Sequence, residues 1–259
     1  MAAYTPQPIR FDHVADLYDS YVRTDFDLPF WLKESQLIEG KVLELTCGTG
    51  RISIPLLKAG IDLTCVDYAP GMLAVLRTKL EANRLSCPIY CQDMADLDLP
   101  DQFSLIFIPF HSFSEVLERK KHRLILDRIH RHLTQDGIFL CTLQNLSIRT
   151  RSMNGSPTKV GTFPMEDGAT LVVQSLLTYD DASQIASGEQ EYNILADDGS
   201  IVDRRILNMH FYLFRKSQFE SLATGAGFEI LALYGDYDYR PFEESTSPSM
   251  IWKLKKKLQ

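Results

Sequence analysis

Short apolar runs alternate with stretches of helical periodicity over residues 42–143. Apolar runs bounded by turn residues predict strands, whereas apolar positions three and four apart predict helices. Strands are expected at 42–45, 61–66, 88–91, 103–108 and 138–143, helices at 52–59, 71–82 and 118–133, and a turn at 135–137. Because strands that alternate with helices are typical of βαβ units, this part of the chain predicts a parallel sheet.

The same alternation of predicted helices and strands occurs near the C-terminus. A helix is expected at 217–224, a Gly-Ala-Gly sequence at 225–227 ends it, and strands are expected at 228–234 and 249–254. Together the two parts predict an α/β fold: a doubly wound, Rossmann-like sheet of seven strands.

Between residues 144 and 215 the pattern changes to long strand-like stretches at 170–179, 184–196 and 201–214, separated by turns at 180–181 and 197–199. This pattern predicts an antiparallel meander inserted as a β cap. Residues 149–161, rich in Ser, Thr, Gly and Pro, are expected to be mobile. We therefore divide the chain into an N-terminal helical lid segment (1–40), a binding domain (41–145 and 216–259) and the inserted cap (146–215).

Composition narrows the function classes. A formal charge of −7 argues against a nucleic-acid surface, because such surfaces need clustered Lys and Arg. No apolar stretch approaches the roughly 20 residues of a membrane span, and the first residues show no secretory signal, so a cytoplasmic protein with no membrane contact is expected. Five cysteines without a CxxC pair predict reduced, buried thiols and no metal site.

The turn after the first predicted strand carries the candidate chemistry. Gly48 and Gly50 let the backbone approach a ligand closely, at the N-terminus of the next helix. A nicotinamide-binding fold would place a third glycine where Ser53 stands, and it seldom has a carboxylate at the position of Glu44. These two differences disfavour a nicotinamide cofactor, although an oxidoreductase remains a testable alternative.

The acidic-x-x-x-Gly-x-Gly sequence from Glu44 to Gly50 resembles motif I of the class I S-adenosylmethionine-dependent methyltransferases, with Thr46 in place of the first glycine. The resemblance implies that Asp67 takes the ribose hydroxyls of the donor and that Asp93 and Met94 bind its adenine. It implies S-adenosyl-L-methionine as cofactor and S-adenosyl-L-homocysteine as product. The expected donor-binding residues are Tyr21, Glu44, Thr46, Gly48, Gly50, Asp67, Tyr68, Met72, Asp93, Met94 and Pro109.

Residues after the fourth strand should face the reactive methyl group, because ligands bind where the strand order reverses. There Phe110 offers an apolar wall, and His111 either removes a proton from the acceptor as the catalytic residue or only holds the turn. Alternation puts Tyr192 on one face of the meander and groups His210 with Tyr212 on another; either face roofs the substrate or forms a homodimer contact. The candidate substrate residues are Phe110, Tyr192, His210, Tyr212 and Arg240.

The N-terminal Tyr18-Asp-Ser-Tyr21 sequence resembles the aromatic lid of small-molecule methyltransferases, and the whole layout resembles the glycine and amino-sugar N-methyltransferases. We therefore predict an enzyme that transfers a methyl group to a nitrogen or oxygen of a small polar metabolite by in-line displacement. Two further hypotheses remain open, namely a non-catalytic donor-binding scaffold or regulator and a peptide or protein methyltransferase.

Overall fold

The computed structural model describes residues 8–165 and 168–257, and the central element is a mixed sheet of seven strands. The strands are β1 (Val42–Leu45), β2 (Leu63–Asp67), β3 (Ile89–Cys91), β4 (Phe103–Ile108), β5 (Leu133–Gln144), β10 (Phe228–Tyr234) and β11 (Ser249–Lys256). Their order is β10-β11-β5-β4-β1-β2-β3, in which β11 runs antiparallel to β5 and β10. The predicted doubly wound sheet of seven strands is thus confirmed.

Helices cover the sheet on both faces and also form much of the N-terminal segment. They are α1 (Ala15–Tyr21), α2 (Leu28–Gln36), α3 (Ser53–Lys58), α4 (Pro70–Asn83), α5 (Arg119–His132), α6 (Leu146–Arg149) and α7 (Lys216–Gly225), with 3₁₀ turns at Phe11–Val14, Met94–Asp96, Ser112–Glu115 and Thr150–Ser152. Every residue of β1 and β2 is buried. Strands covered on both faces read as continuous apolar runs, which is why their sequence identified them.

A second sheet forms the inserted cap and contains β6 (Thr158–Pro164), β7 (Thr170–Asp180), β8 (Ile185–Leu195) and β9 (Ile201–Tyr212) in that order. All its neighbouring strands are antiparallel. The cap predicted from the alternating pattern is confirmed, with one strand more than expected. Residues 149–161, expected to be mobile, end α6, form a 3₁₀ turn and begin β6.

The turn expected at 135–137 is instead an irregular part of β5, where the pairing with β4 shifts register and Ile138 is the next residue to pair, with Leu105. Leu133 already pairs with Phe103 of β4. Gly137 serves close packing: a Cβ there would lie 2.9 Å from a methyl carbon of Leu133 and 3.1 Å from the carbonyl oxygen of Phe103. The glycine was a signal of a close approach between strands.

Two further expectations are tested by burial and helix length. Cys47, Cys65 and Cys141 are buried and all five thiols are free, but Cys91 is exposed at the edge strand β3, so the prediction of uniformly buried thiols is wrong there. Within the described residues, no helix is long and apolar enough to cross a membrane. The N-terminal residues used to exclude a secretory signal lie outside the described part of the chain.

Candidate active site

A cavity of about 420 Å³ opens at the carboxyl ends of β1, β2 and β4. Its floor is the loop after β1 together with the end of β2, one wall is the segment after β4, another is the N-terminal segment, and its roof comes from the cap sheet. In open α/β sheets this edge is where ligands bind. The cavity therefore joins the loop after β1, the end of β2, the segment after β4, the N-terminal segment and the cap.

The loop after β1 is shaped by three left-handed residues. Thr46, Gly48 and Gly50 have φ angles of 61°, 55° and 84°, a region that glycine adopts freely and a β-branched residue rarely enters. Thr46 and Gly48 line the cavity, whereas Gly50 lies behind it and allows α4 to pack closely. A Cβ at Gly50 would come within 2.4 Å of the side chain of Leu76.

Two carboxylates support this loop. Asp67 accepts hydrogen bonds from the backbone N–H of Gly48 at 2.8 Å and of Ala69 at 2.9 Å, and burial raises its pKa. Glu44 is buried and accepts a 2.6 Å hydrogen bond from the Ser53 hydroxyl. Burial raises the pKa of Glu44 to about 8, while that hydroxyl opposes the shift. Both line the cavity with Tyr68 and Met72.

The residues expected to bind adenine lie at the same sheet edge but outside the lining of this cavity. Asp93 follows β3, whose Cys91 pairs with Asp67 of β2. Its carboxylate accepts from the N–H of Ala95 at 2.9 Å and caps a 3₁₀ turn. Met94 is buried in the apolar core. The assignment of Asp93 and Met94 to adenine stays a prediction.

The segment after β4, which forms one wall of the cavity, turns sharply. Phe110 and His111 are both left-handed, with φ angles of 54° and 67°, and Pro109, Phe110 and His111 all line the cavity. The imidazole Nε2 of His111 lies 2.9 Å from the Ser249 hydroxyl. Burial, and secondarily the charge of Arg149, lowers the pKa of His111 to about 4. His111 is therefore neutral and a weak base at pH 7, which favours its role in holding the turn.

Glu115, three residues after Ser112, is a cavity residue that the sequence reasoning missed. It ends the 3₁₀ turn that follows the left-handed pair. Burial raises its pKa to about 8, the negative charge of Asp67 adds to the shift, and a hydrogen bond from Ser112 opposes it. The sequence gives no sign that Glu115 lines a cavity, because this residue comes shortly before a predicted helix with an exposed, charged start.

Two acidic residues of the N-terminal segment, which the sequence analysis did not single out, bond this segment to the loop after β1. This loop, residues 46–51, is called the donor loop below. Asp27, fully buried, receives two hydrogen bonds from the guanidinium of Arg51, at 2.5 and 2.7 Å. Asp19 accepts from the Thr49 hydroxyl at 2.7 Å. The first seven residues of the predicted lid segment lie outside the described part of the chain.

The same segment also bonds to the cap. The hydroxyl groups of Tyr21 and Tyr192 lie 3.0 Å apart, and their rings meet edge to face. Asp16 accepts a 2.6 Å hydrogen bond from Arg205 of β9. Tyr21 lines the cavity, whereas Tyr192 is fully buried behind it. Tyr192, predicted as a substrate contact, does not line the cavity itself. It contacts Tyr21, which does.

The cap strands present the opposite face of β9 from the one predicted. Gln190 of β8 lines the cavity, and in β9 the lining residues are Met209 and Phe211. Gln190 pairs with Leu207, so the odd-numbered residues of β9 share its face. His210 and Tyr212 therefore point to the other face, and predicting them as substrate contacts was wrong. Tyr212 instead packs edge to face against Phe214 in the core of the binding domain.

Arg240, the last predicted substrate residue, is exposed over 74% of its side chain and lies outside the cavity lining. Its guanidinium faces Asp236 at 3.3 Å and Asp238 at 3.4 Å. These acids follow β10 within the same loop, so Arg240 closes a local turn. This position does not favour contact with a substrate carboxylate, and that role of Arg240 stays a prediction.

Comparisons with known proteins agree with this architecture. The family model described as a methyltransferase domain matches residues 42–137. A methyltransferase of Geobacillus sp. (strain WCH70) is 32% identical over 100 residues, so the match covers 39% of this chain and 40% of that relative's length.

Two solved structures share the fold along nearly the whole chain. The CcbJ methyltransferase of Streptomyces caelestis has a TM-score of 0.78 at 22% identity and covers 98% of this chain and 100% of its own. The sugar N-methyltransferase KedS8 of Streptoalloteichus sp. has a TM-score of 0.75 at 19% identity, covering 100% of this chain and 97% of its own. The inserted cap therefore belongs to a fold that these enzymes have in common.

Proposed function

We propose that the chain, whose residues 42–137 match the methyltransferase-domain family model, is a class I S-adenosylmethionine-dependent methyltransferase that methylates a nitrogen or oxygen of a small polar metabolite. The observation that carries this proposal is the shared cavity. Gly48 of the loop after β1, Asp67 at the end of β2 and Gln190 of the cap line one cavity of about 420 Å³. That volume is within the range of small-molecule clefts, roughly 300–1,000 Å³.

The residues present fit the donor. Left-handed Gly48 leaves the loop free of side-chain atoms where the donor's methionine part would lie, and the carboxylate of Asp67 accepts hydrogen bonds from hydroxyl groups. When bound, S-adenosylmethionine supplies an electrophilic methyl group on a sulfonium. Tyr18, Tyr21 and Phe110 surround this space with aromatic rings, whose faces attract positive charge and exclude water.

Positioning is the main work that the chain does in this proposal. The segment after β4 and the roof residues Met209 and Phe211 line the space in which an acceptor would be held next to the donor's methyl group. KedS8, which shares the fold, is described as a sugar N-methyltransferase, and this supports a small polar acceptor. The N-terminal segment closes one side of the cavity, which favours a small molecule over a peptide.

The test is to incubate the protein with S-adenosylmethionine and separate pools of small polar metabolites and of peptides, and to measure S-adenosylhomocysteine by mass spectrometry. We expect product with the metabolite pool, above a control without acceptor, and none with the peptide pool. Product from peptides alone would show that the acceptor is a polypeptide. Donor binding without product from either pool would favour the non-catalytic scaffold.

A further inference from the structure

The roof of the cavity is mainly apolar. Among the described residues of the cap, four line the cavity: Val160 of β6, Gln190 of β8, and Met209 and Phe211 of β9. Three of these side chains are apolar, and Gln190 adds one amide. Phe110, from the segment after β4, lines the same space. An acceptor held under the cap would therefore meet mainly carbon atoms, together with one group that can both donate and accept hydrogen bonds.

Two of the apolar side chains remain accessible to solvent. Val160 is 47% exposed and Phe110 is 37% exposed, and both line the cavity. Exposed apolar side chains that are gathered around one cavity are typical of a ligand site. A ligand with an apolar face would remove these side chains from water, which favours its binding.

The charged side chains of the lining offer no free cation to an acceptor. Arg51 is the cationic residue among the described lining residues, and its guanidinium forms an ion pair with buried Asp27. Burial lowers the pKa of His111 to about 4, so its imidazole is neutral at pH 7. The lining also contains three carboxyl groups, those of Glu44, Asp67 and Glu115. A phosphate or carboxylate held here would lose its hydration without gaining a positive partner, which is costly.

Resting on the proposed function, we propose that the acceptor is a small aromatic or alicyclic molecule without a phosphate or carboxylate group, whose apolar face packs against the roof. Val160, Met209 and Phe211 contact that face, and Gln190 forms a hydrogen bond with a polar substituent. These four residues then determine the specificity. The proposal excludes phosphorylated sugars and free amino acids as acceptors, and it applies to nitrogen and oxygen acceptors alike.

The experiment introduces a cation at the roof. Val160→Arg brings a guanidinium to the cavity, and Val202→Arg is the matched control at a valine of β9 that is 60% exposed and lies outside the lining. Each protein is loaded with S-adenosylhomocysteine and titrated by calorimetry with two indole compounds that differ in one group, tryptophol and indole-3-acetate. We expect the parent and Val202→Arg to bind tryptophol at least about fivefold more tightly than indole-3-acetate.

Val160→Arg should reverse this preference, because its guanidinium can pair with the carboxylate of indole-3-acetate. Its affinity for S-adenosylhomocysteine should stay within about threefold of the parent value, since the cap lies across the cavity from the donor loop.

Two further measurements separate the apolar face from the amide. Cyclohexanol should bind to the loaded parent protein at least about fivefold more tightly than glucose, because its ring carries no further hydroxyl groups to be desolvated. Gln190→Leu should weaken the binding of tryptophol about threefold or more, without weakening that of 3-ethylindole, which lacks the hydroxyl group. A residue that only supports the fold would change the binding of both indole compounds alike.

Several results would overturn the proposal. They are equal or tighter binding of indole-3-acetate by the parent protein, the same preference in Val160→Arg as in Val202→Arg, tighter binding of glucose than of cyclohexanol, and no measurable binding of tryptophol or cyclohexanol. Equal weakening of both indole compounds in Gln190→Leu would refute the role of the amide. The measurements on the parent protein test the proposal even where a variant fails to fold.

Failure here differs from failure of the proposed function. Methyl transfer to a phosphorylated or carboxylated metabolite would refute this substrate class and leave a small-molecule methyltransferase. Binding of tryptophol that responds to Val160→Arg, without product from any metabolite pool, would refute the proposed function alone.

Discussion

The strand β4 of the central sheet and the strand β9 of the cap both end at the cavity, yet they contribute to it in different ways. Five of the six residues of β4 are buried, and the strand delivers its functional residues from the segment after its end. Along β9, burial alternates from Asp203 to Met209, and the strand presents Met209 and Phe211 from one face. In the parallel sheet the position of a strand end decides function, whereas in the cap the face of the strand decides it.

The largest expected effect comes from breaking the link between the N-terminal segment and the donor loop. Arg51→Ala leaves the fully buried Asp27 without its cation, and removing one partner of a buried pair costs about 3–5 kcal/mol. We expect that loss in the free energy of unfolding, measured by urea denaturation. Arg240→Ala, at an exposed arginine, should change it by less than about 0.5 kcal/mol. Equal effects of the two variants would contradict this account.

The next largest effect is a loss of donor affinity, and it distinguishes the two ends of β2. Asp67→Ala removes the acceptor for donor hydroxyl groups and the support for Gly48, so S-adenosylhomocysteine should bind about 10- to 100-fold more weakly by calorimetry. Asp62→Ala changes an exposed carboxylate just before the same strand, at its opposite end. Its affinity should stay unchanged. An Asp67→Ala protein with full donor affinity would show that the donor site is assigned wrongly.

A smaller effect concerns pH. The pKa of Glu44 is raised to about 8 in the folded chain, so the folded state holds a proton that the unfolded state has released above pH 4.5. The contribution of Glu44 to the free energy of unfolding is complete below the pKa that this group has in the unfolded chain. It is lost as pH rises through about 8, the pKa in the folded chain. We expect the free energy of unfolding without ligand to fall by about 1–3 kcal/mol from pH 5 to pH 8.5.

Glu44→Gln keeps an acceptor for Ser53 and cannot ionise, so its stability should depend less on pH. Denaturation at matched ionic strength measures both proteins. Identical pH profiles would mean that Glu44 is ionised at neutral pH.

The smallest effect tests the departure from the family motif. Thr46 has a φ angle of 61°, which costs a residue with a Cβ about 1–2 kcal/mol. Glycine would avoid this cost, but part of the gain would be lost because glycine has more conformational freedom in the unfolded chain. Thr46→Gly should raise the free energy of unfolding by about 0.5–1 kcal/mol. Thr46→Ala keeps the Cβ and should give no gain. Destabilisation by glycine would mean that the Thr46 side chain contributes more than the backbone strain costs.

The comparison of the sheets also explains what the sequence could reveal. Glu44, Gly48 and Asp67 stand at strand ends that the apolar runs mark, so their gathering at one edge could be predicted without knowing any contact. The face of β9 could not, because its register with β8 is set by the Asp197–Gly199 turn and a shift between Ile194 and Leu195. An error of one residue exchanges His210 for Met209.

Glu115 and Asp27 escaped prediction for another reason. Their importance arises from burial and from partners far along the chain: Arg51 lies 24 residues from Asp27, and Asp67 acts on Glu115 only after folding. A charged residue in a sequence is by default exposed, and no local pattern marks the few that are not.

The N-terminal segment, bonded to the donor loop through Asp27 and to the cap through Tyr21, also affects how the two ligands would bind. A ligand that shifts this segment changes the conditions for the other ligand, and the resulting coupling free energy is shared by both. If a bound donor tightens the acceptor by some factor, a bound acceptor must tighten the donor by the same factor. Each affinity is therefore defined only at a stated occupancy of the other site.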